Sequence, residues 1–555
     1  MDKNTIIAFV LIGIILLLST SRWYREKIAG IHSVPADSIM AVMPDMDSIN
    51  TSEGAPSLEK ELQPTPVAPP KRISATKPDA DEWVTLKNDC IQVQLSSRGG
   101  GTLVSWKLIS KDIDDTAKYR YKIRIDQNEP IQMIPKDAHG NLAITTDRGY
   151  DFGRMPFEVT QNSLRDTIHT VKFTRVLEND ARLEKIFTLK AGSYHLTMQI
   201  HFTGFQWDQI GEKYQIEWNS GLQYTEPNRK DDLMYYEAIA LQGDDLIRQK
   251  KKGSTGLQEG NTHWVSIRTK YFLMAIIPEQ TGIGTELTVE DQDDWKIIQT
   301  DLAMPWKGLQ EEVHSYQIFL GPMDYQLLKS YQADLSKSMS WGWKIIKPFS
   351  IGALYALQFL YKILHNYGWA IIIFAILIKI VLYPLTRHSY KSMREMQALQ
   401  PKMTAIREKY KDNPQKMNEE TMKLYKSHGV NPMGGCLPML LQMPVLFALF
   451  NLFRSTIMLR HAEFLMIKDL SAPDHMLGSI NVLPIIMGLA MVVQQKLSSA
   501  QSSQQKAMTY FMPIFLTFIF YKFSSGLNLY YLIFNIFTIA QEIIIRRGKT
   551  EAASE

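Results

Sequence analysis

Two textures divide the chain. Uninterrupted apolar runs occupy residues 5–19, 369–385, 436–453, 482–493, 508–520 and 527–545, and such runs predict membrane spans because they leave no polar face for water. One run opens the chain and five close it. Between them the period shortens to two, at 83–86, 90–95, 169–177, 183–189, 194–202 and 271–277. That alternation predicts half-buried strands, and without interleaved amphipathic helices it predicts an antiparallel β-sandwich over residues 81–325.

Three segments follow neither texture. Residues 29–80 hold Pro64, Pro66, Pro69, Pro70 and Pro78 without any period and read as a disordered linker. Residues 1–28 read as an N-terminal membrane anchor, with a cleaved signal peptide as the rival because Ser19 and Ser21 are small. Over residues 326–366, Trp341, Trp343, Phe349, Leu354, Leu357, Leu360 and Ile363 are interrupted by Lys344, Lys347 and Lys362. Tryptophan and lysine beside an apolar face predict a helix lying in the membrane interface, with a buried connector as the alternative.

Residues 387–430 orient the chain. It carries Arg387, Lys391, Arg394, Lys402, Arg407, Lys409, Lys411, Lys416, Lys423 and Lys426, so the positive-inside rule places it in the cytoplasm. Arg546, Arg547 and Lys549 put the tail, 549–555, there too. An even number of spans then lies between, the β-domain falls outside, and both termini fall inside. Within 387–430 a helical period through Met393, Met396, Leu399, Met403, Ile406 and Tyr410 breaks at Asp412-Asn413-Pro414 and resumes at Met417, Leu424 and Tyr425. A cytoplasmic helical hairpin with a methionine contact face is predicted, adaptable to varied apolar partners. Its charge suits ribosomal RNA or anionic lipid.

Composition narrows the function. The 555 residues carry a net charge of only +4, which gives no ground for binding DNA. Cys90 and Cys436 form neither a disulfide framework nor a zinc motif. No GxxxxGK[ST], HExxH or GxSxG motif occurs, so no cofactor, metal or enzymatic nucleophile is expected. The one expensive residue is Lys379, inside the run 369–385. A charge at the centre of a span costs roughly 2.5–3.5 kcal/mol on insertion scales and ordinarily meets water, a partner or a pathway. Snorkelling is the other reading, but Arg387 at the basic end lies about 12 Å further along the helix. Gln442, Gln494, Gln495, Thr517, Asn528, Asn535, Thr538 and Gln541 recur in the later runs. They serve either as helix–helix glue or, with Lys379, as the lining of a wetted cavity. The short run 482–493 would thin the bilayer locally.

The order of these segments, with LYPLT at 382–386, NPMGGCLPMLLQMP at 431–444 and SSGLNLYYLIFN at 524–535, resembles the YidC family of bacterial membrane-protein insertases. GGGTLVSWKL, KYFLMAIIP and LGPMDYQLL resemble landmarks of the β-domain in its Gram-negative form. The resemblance implies a polytopic α-helical inner-membrane protein of six spans: an N-terminal anchor plus a five-helix insertase core, 367–548. It also implies a periplasmic β-sandwich, a cytoplasmic hairpin and a hydrophilic groove. The implied role is to insert and help fold nascent membrane proteins, alone or with the Sec translocon, in contact with the ribosome and membrane lipid. The family's usual central arginine is matched by Lys379, which keeps the charge and loses the five-donor fork. Its substrate-contacting tyrosine pair matches Tyr530 and Tyr531. The expected groove is therefore Lys379, Gln442, Thr517, Tyr530, Tyr531 and Asn535, and the expected hairpin contacts are Met393, Met396, Met403, Arg394 and Arg407. The rival from another class is a secondary transporter or channel with an anion site at Lys379.

Overall fold

Alternation is realised strand by strand. In Ile91–Ser96 and Arg182–Lys190 every second side chain is buried, as a pleat with one covered face requires. The computed structural model describes residues 81–551 except 110–122, 125–128, 137, 293–294, 332, 344, 431–436, 479 and 499–502. The predicted anchor and linker therefore lie outside the described residues. The described residues within 81–499 and 511–551 belong to one compact unit.

The described strands pair antiparallel in two sheets, one of five strands and one of fourteen. The strand Phe272–Pro278, between Gln258–Arg268 and Glu311–Pro322, is buried along its whole length. Its residues take sides by parity. Phe272, Met274 and Ile276 join the core that includes Val93 and Trp106 of the small sheet. Leu273, Ala275 and Ile277 join a second core shared with the C-terminal helices. The large sheet is thus covered on both faces.

Lys185 ties the two sheets together. Its side chain is fully buried, and its Nζ donates to the carbonyls of Gly99 at 3.0 Å and Leu142 at 2.7 Å. Gly99, Gly100 and Gly101 all have positive φ, and a Cβ on Gly101 would run into the ring of Phe187. The glycine triplet is a tight turn under an aromatic ring, and no phosphate loop is needed to account for it.

The helices follow: α1 (Lys347–Leu364), α2 (Tyr367–Ala398), α3 (Gln400–Lys409), α4 (Pro414–Ser427), α5 (Leu437–Ser455), α6 (Val482–Ser498), α7 (Ser503–Phe520) and α8 (Ser525–Glu551). Stretches in two of them, Tyr367–Pro384 and Ser525–Ile544, are long and apolar enough to cross a bilayer, while Val482–Leu497 and Tyr510–Phe520 are shorter apolar stretches. The segment 326–366 is divided rather than one helix. A short helix, Tyr325–Ser330, and a 3-10 turn, Leu335–Ser338, precede α1. Asp334 and Gly342 adopt positive φ and interrupt the helix. The intervening backbone is held by the β-domain, through Trp264 Nε1 to the Ala333 carbonyl and Arg268 Nη1 to the Ser338 carbonyl, both at 2.7 Å.

The first helix predicted for the hairpin is also divided. Its beginning continues α2 as far as Ala398, and α3 starts afresh with a proline, Pro401, in its first turn. Proline has no N–H to continue the preceding ladder, so the break falls there. A second tie between β-domain and helices comes from the segment after α5. The buried Arg460 places Nε 2.8 Å from Glu226 Oε1 and its guanidinium 5.5 Å from the Phe272 ring centroid.

Burial pushes the Lys185 pKa down from its usual value to about 7. Its folded pKa lies below its unfolded one, so the unfolded state binds the extra proton between those values and stability rises with pH across that window. Thermal unfolding of the full-length protein in detergent, followed from pH 7 to pH 10, is expected to show this rise in the parent. Lys185→Met should flatten it.

Candidate functional site

α2 and α8 run side by side in the same direction. Gly526 lies against Ile371, the Tyr530 ring centroid is 6.2 Å from that of Phe374, and further along Phe534 and Thr538 meet Lys379. Positions four apart share one helix face, so α8 turns 530, 534, 538 and 542 towards α2. Its opposite face is apolar and exposed at Ile536, Phe537, Ile543 and Ile544. Polar residues point in and apolar residues point out, as suits a helix whose solvent is lipid.

Lys379 is 7% exposed. Its Nζ donates to Thr538 Oγ1 at 2.7 Å and stands 4.2 Å from the Phe534 ring centroid. The Thr538 hydroxyl donates in turn to the Phe534 carbonyl at 2.7 Å, which turns its lone pairs towards the ammonium. Asn535, Gln541 and Glu542 on α8 are buried as well. The cation is held between two helices by a hydroxyl and an aromatic face.

Tyr530 is 1% exposed and stacks on Phe534 at 6.0 Å. Tyr531 meets Tyr530 edge-on at 5.2 Å and reaches Phe520 of α7 at the same distance. Both tyrosine hydroxyls are buried with no hydrogen-bond partner among the described residues. Of the expected groove, Lys379, Tyr530, Tyr531 and Asn535 thus lie on α2 and α8. Gln442 is half-buried on α5. Thr517 lies on α7: it donates to the Pro513 carbonyl at 2.7 Å and packs on Gly488, where α6 and α7 approach closely. Thr538, present in the sequence only as one polar residue among several, proves to be the direct partner of Lys379. Glu542 was not anticipated. The available signal was its spacing, four residues beyond Thr538 and eight beyond Phe534.

The expected hairpin contacts separate. Met393 and Arg394 sit on the end of α2, where Met396 is half-buried. Met403 on α3 is buried, with the Tyr425 hydroxyl of α4 3.1 Å from its sulfur, and Lys402 Nζ reaches His428 Nε2 at 3.0 Å. α3 and α4 therefore fold back on each other, with Arg407 exposed on their surface.

Residues 83–350 match the family described as YidC periplasmic domain, and residues 359–553 match 60Kd inner membrane protein. A curated relative named membrane protein insertase YidC, from Chlorobium luteolum, is 34% identical over 100% of this chain and 96% of its own length. Its counterpart from Chlorobaculum tepidum is 33% identical over 99% and 95%. A solved structure titled active YidC insertase with the first transmembrane domain resolved covers 83% of this chain and 92% of its own, at 18% identity and a TM-score of 0.36.

The bond between Lys379 and Thr538 contributes to stability. Thr538→Val keeps the side-chain shape and removes the acceptor, so about 1.5–3 kcal/mol should be lost, the range for a hydrogen bond to a charged group. A lower melting temperature in detergent is expected for Thr538→Val and a near-parental one for Thr538→Ser.

Proposed function

The chain belongs to the YidC family of inner-membrane proteins, and on that footing we propose that it is a membrane protein insertase in which Lys379 receives the polar flank of an incoming segment. The family works without covalent chemistry. What carries the reading is the Lys379 ammonium, buried between the two described helices that are long and apolar enough to cross a bilayer. A cation so placed lowers the barrier for a short acidic or polar flank, because the flank replaces some of its lost hydration with a charge-assisted contact.

In this mechanism a nascent apolar segment first meets α3, α4 and the end of α2, through Met393, Met396 and Met403, with Arg394 and Arg407 supplying positive charge. Its flank then enters a hydrophilic groove formed by Lys379, Tyr530, Tyr531 and Asn535, with Gln442 of α5 and Thr517 of α7 lining the way. Lys379 is covered in the present arrangement, so the flank reaches it by exchange with Thr538 and Phe534. The unmatched hydroxyls of Tyr530 and Tyr531 offer polar contacts on the same path. The segment leaves between α5 and α7 into lipid. Apolar burial drives the step, and one charge crossing 100 mV adds about 2.3 kcal/mol.

The topology that goes with this has six spans, counting residues 5–19. Both termini and 387–430 are cytoplasmic, and the β-domain is periplasmic. α1 lies in the outer interface: it buries Ala353, Leu354, Leu357 and Leu360 against the protein and leaves Phe349, Phe359 and Ile363 exposed, as a helix bathed in lipid would. Nascent membrane proteins, the ribosome and the Sec translocon are the proposed partners. An anion transporter would use Lys379 equally well but gives the methionines of α3 and its neighbours no role.

Lys379→Gln keeps a donor for Thr538 and removes the charge. In cells depleted of their own insertase, it should reduce insertion of segments with acidic flanks about tenfold or more, scored by protease protection, while Lys379→Arg remains active. Unchanged insertion by Lys379→Gln at equal protein level would sink the proposal. Separately, replacing α3 and α4 by a short Gly/Ser linker should abolish the salt-sensitive part of ribosome co-sedimentation.

A further inference from the structure

Glu542 has no role in the mechanism so far, yet it sits in the same layer as Lys379. It lies on α8 one turn beyond Thr538, on the face turned to α2, and is 5% exposed. An i to i+4 step separates side chains by about 6 Å, and Lys379 Nζ is itself 2.7 Å from Thr538 Oγ1. The carboxyl group is therefore within Coulombic reach of the ammonium. A carboxylate so deeply buried costs too much unless a cation or several donors face it. We infer that Glu542 is a built-in counter-ion that competes with the substrate for Lys379, and so sets which flank charges the insertase accepts.

This deepens the reading of Lys379 as the group that receives the flank, and it rests on that reading. An uncountered ammonium would attract any acidic flank and hold it. With Glu542 one turn from Thr538, the layer is close to neutral, and an acidic flank gains only its attraction to Lys379 less its repulsion by Glu542. The same repulsion favours release, as Thr538 and Phe534 close on the ammonium again. Neutral flanks meet little electrostatic penalty, and basic flanks meet less than they would at a bare cation. Glu542 is thus a specificity-determining residue that acts through Lys379.

The test uses the full-length chain in cells depleted of their own insertase. A set of single-span segments would differ only in the flank, carrying two acidic, one acidic, no charged or one basic residue. Two readouts are taken: insertion by protease protection, and crosslinking of the flank to a photoreactive residue at Tyr530. Glu542→Gln should steepen the dependence on flank charge, raising crosslinking of the doubly acidic flank about threefold or more and lowering insertion of the basic one. Lys379→Gln with Glu542→Gln should flatten it. The exchange of the two charges, Lys379→Glu with Glu542→Lys, should restore a profile close to the parent's.

A merely structural Glu542 would change protein level or melting temperature without changing the profile. Parental flank dependence in Glu542→Gln at equal protein level would overturn the inference. So would failure of both Glu542→Gln and the charge exchange to accumulate, since the pair would then serve folding. A parent profile that depends on Lys379 but not on Glu542 refutes this inference alone. A parent profile that depends on neither refutes the underlying reading as well.

Discussion

An ammonium group inside an apolar helix has to be matched by whatever packs beside it, and here that requirement decides how the last helix is turned. α8 has one face of large aliphatic and aromatic residues and one carrying Tyr530, Phe534, Thr538 and Glu542. In water the first face would be buried. Here it is exposed at Ile536, Phe537, Ile543 and Ile544, and the second is pressed against α2. Lys379 selects that rotation, because any other would leave its charge facing hydrocarbon. Once α8 is fixed, so is Tyr530 against Phe374, and through Tyr531 the contact with Phe520 of α7. The helical half is organised from a polar pair outward, whereas the β-domain is organised from its apolar cores.

The two halves meet through continuity of packing as much as through charge. The fully buried strand Phe272–Pro278 sends alternate residues into two cores, and the second core extends through Trp341 and Leu357 to Phe374 and Leu529 of the helices. Arg460 and Glu226 sit at the same junction. A buried pair of this kind adds little net stability over an apolar substitute, but removing one partner leaves the other stranded. It fixes register more than strength, holding the segment after α5 at one place on the sheet.

The sequence was most readable where one solvent governs one period. The strands at 183–189 and 271–277 were each located to within one residue of Arg182–Lys190 and Phe272–Pro278, because a half-buried sheet writes its faces as alternation. The runs at 482–493 and 527–545 found α6 and α8 but not their ends. Helices that leave the hydrocarbon continue through polar residues, which a hydropathy boundary cuts short. α2 shows the same effect, running on from the apolar run to Ala398 until Pro401 forbids it. Lys379 stood out because it is costly. Glu542 did not, since it lies beside Arg546 and Arg547 and passes for the edge of a basic tail. Thr517 is less legible for another reason: a hydroxyl that bonds back to its own helix is indistinguishable in sequence from one that faces a cavity.

The length of α2 has a mechanical consequence. Its 32 residues form one rod of about 48 Å, with Trp369 near one end, Met393 and Met396 near the other, and Lys379 between. α3 and α4 hang from its far end. A load placed on them is taken up as tilt of that end, for Pro384, inside the helix five residues beyond Lys379, is a natural pivot. The far end of α2 is therefore free to tilt about Pro384 without pulling on the contact between Lys379 and Thr538.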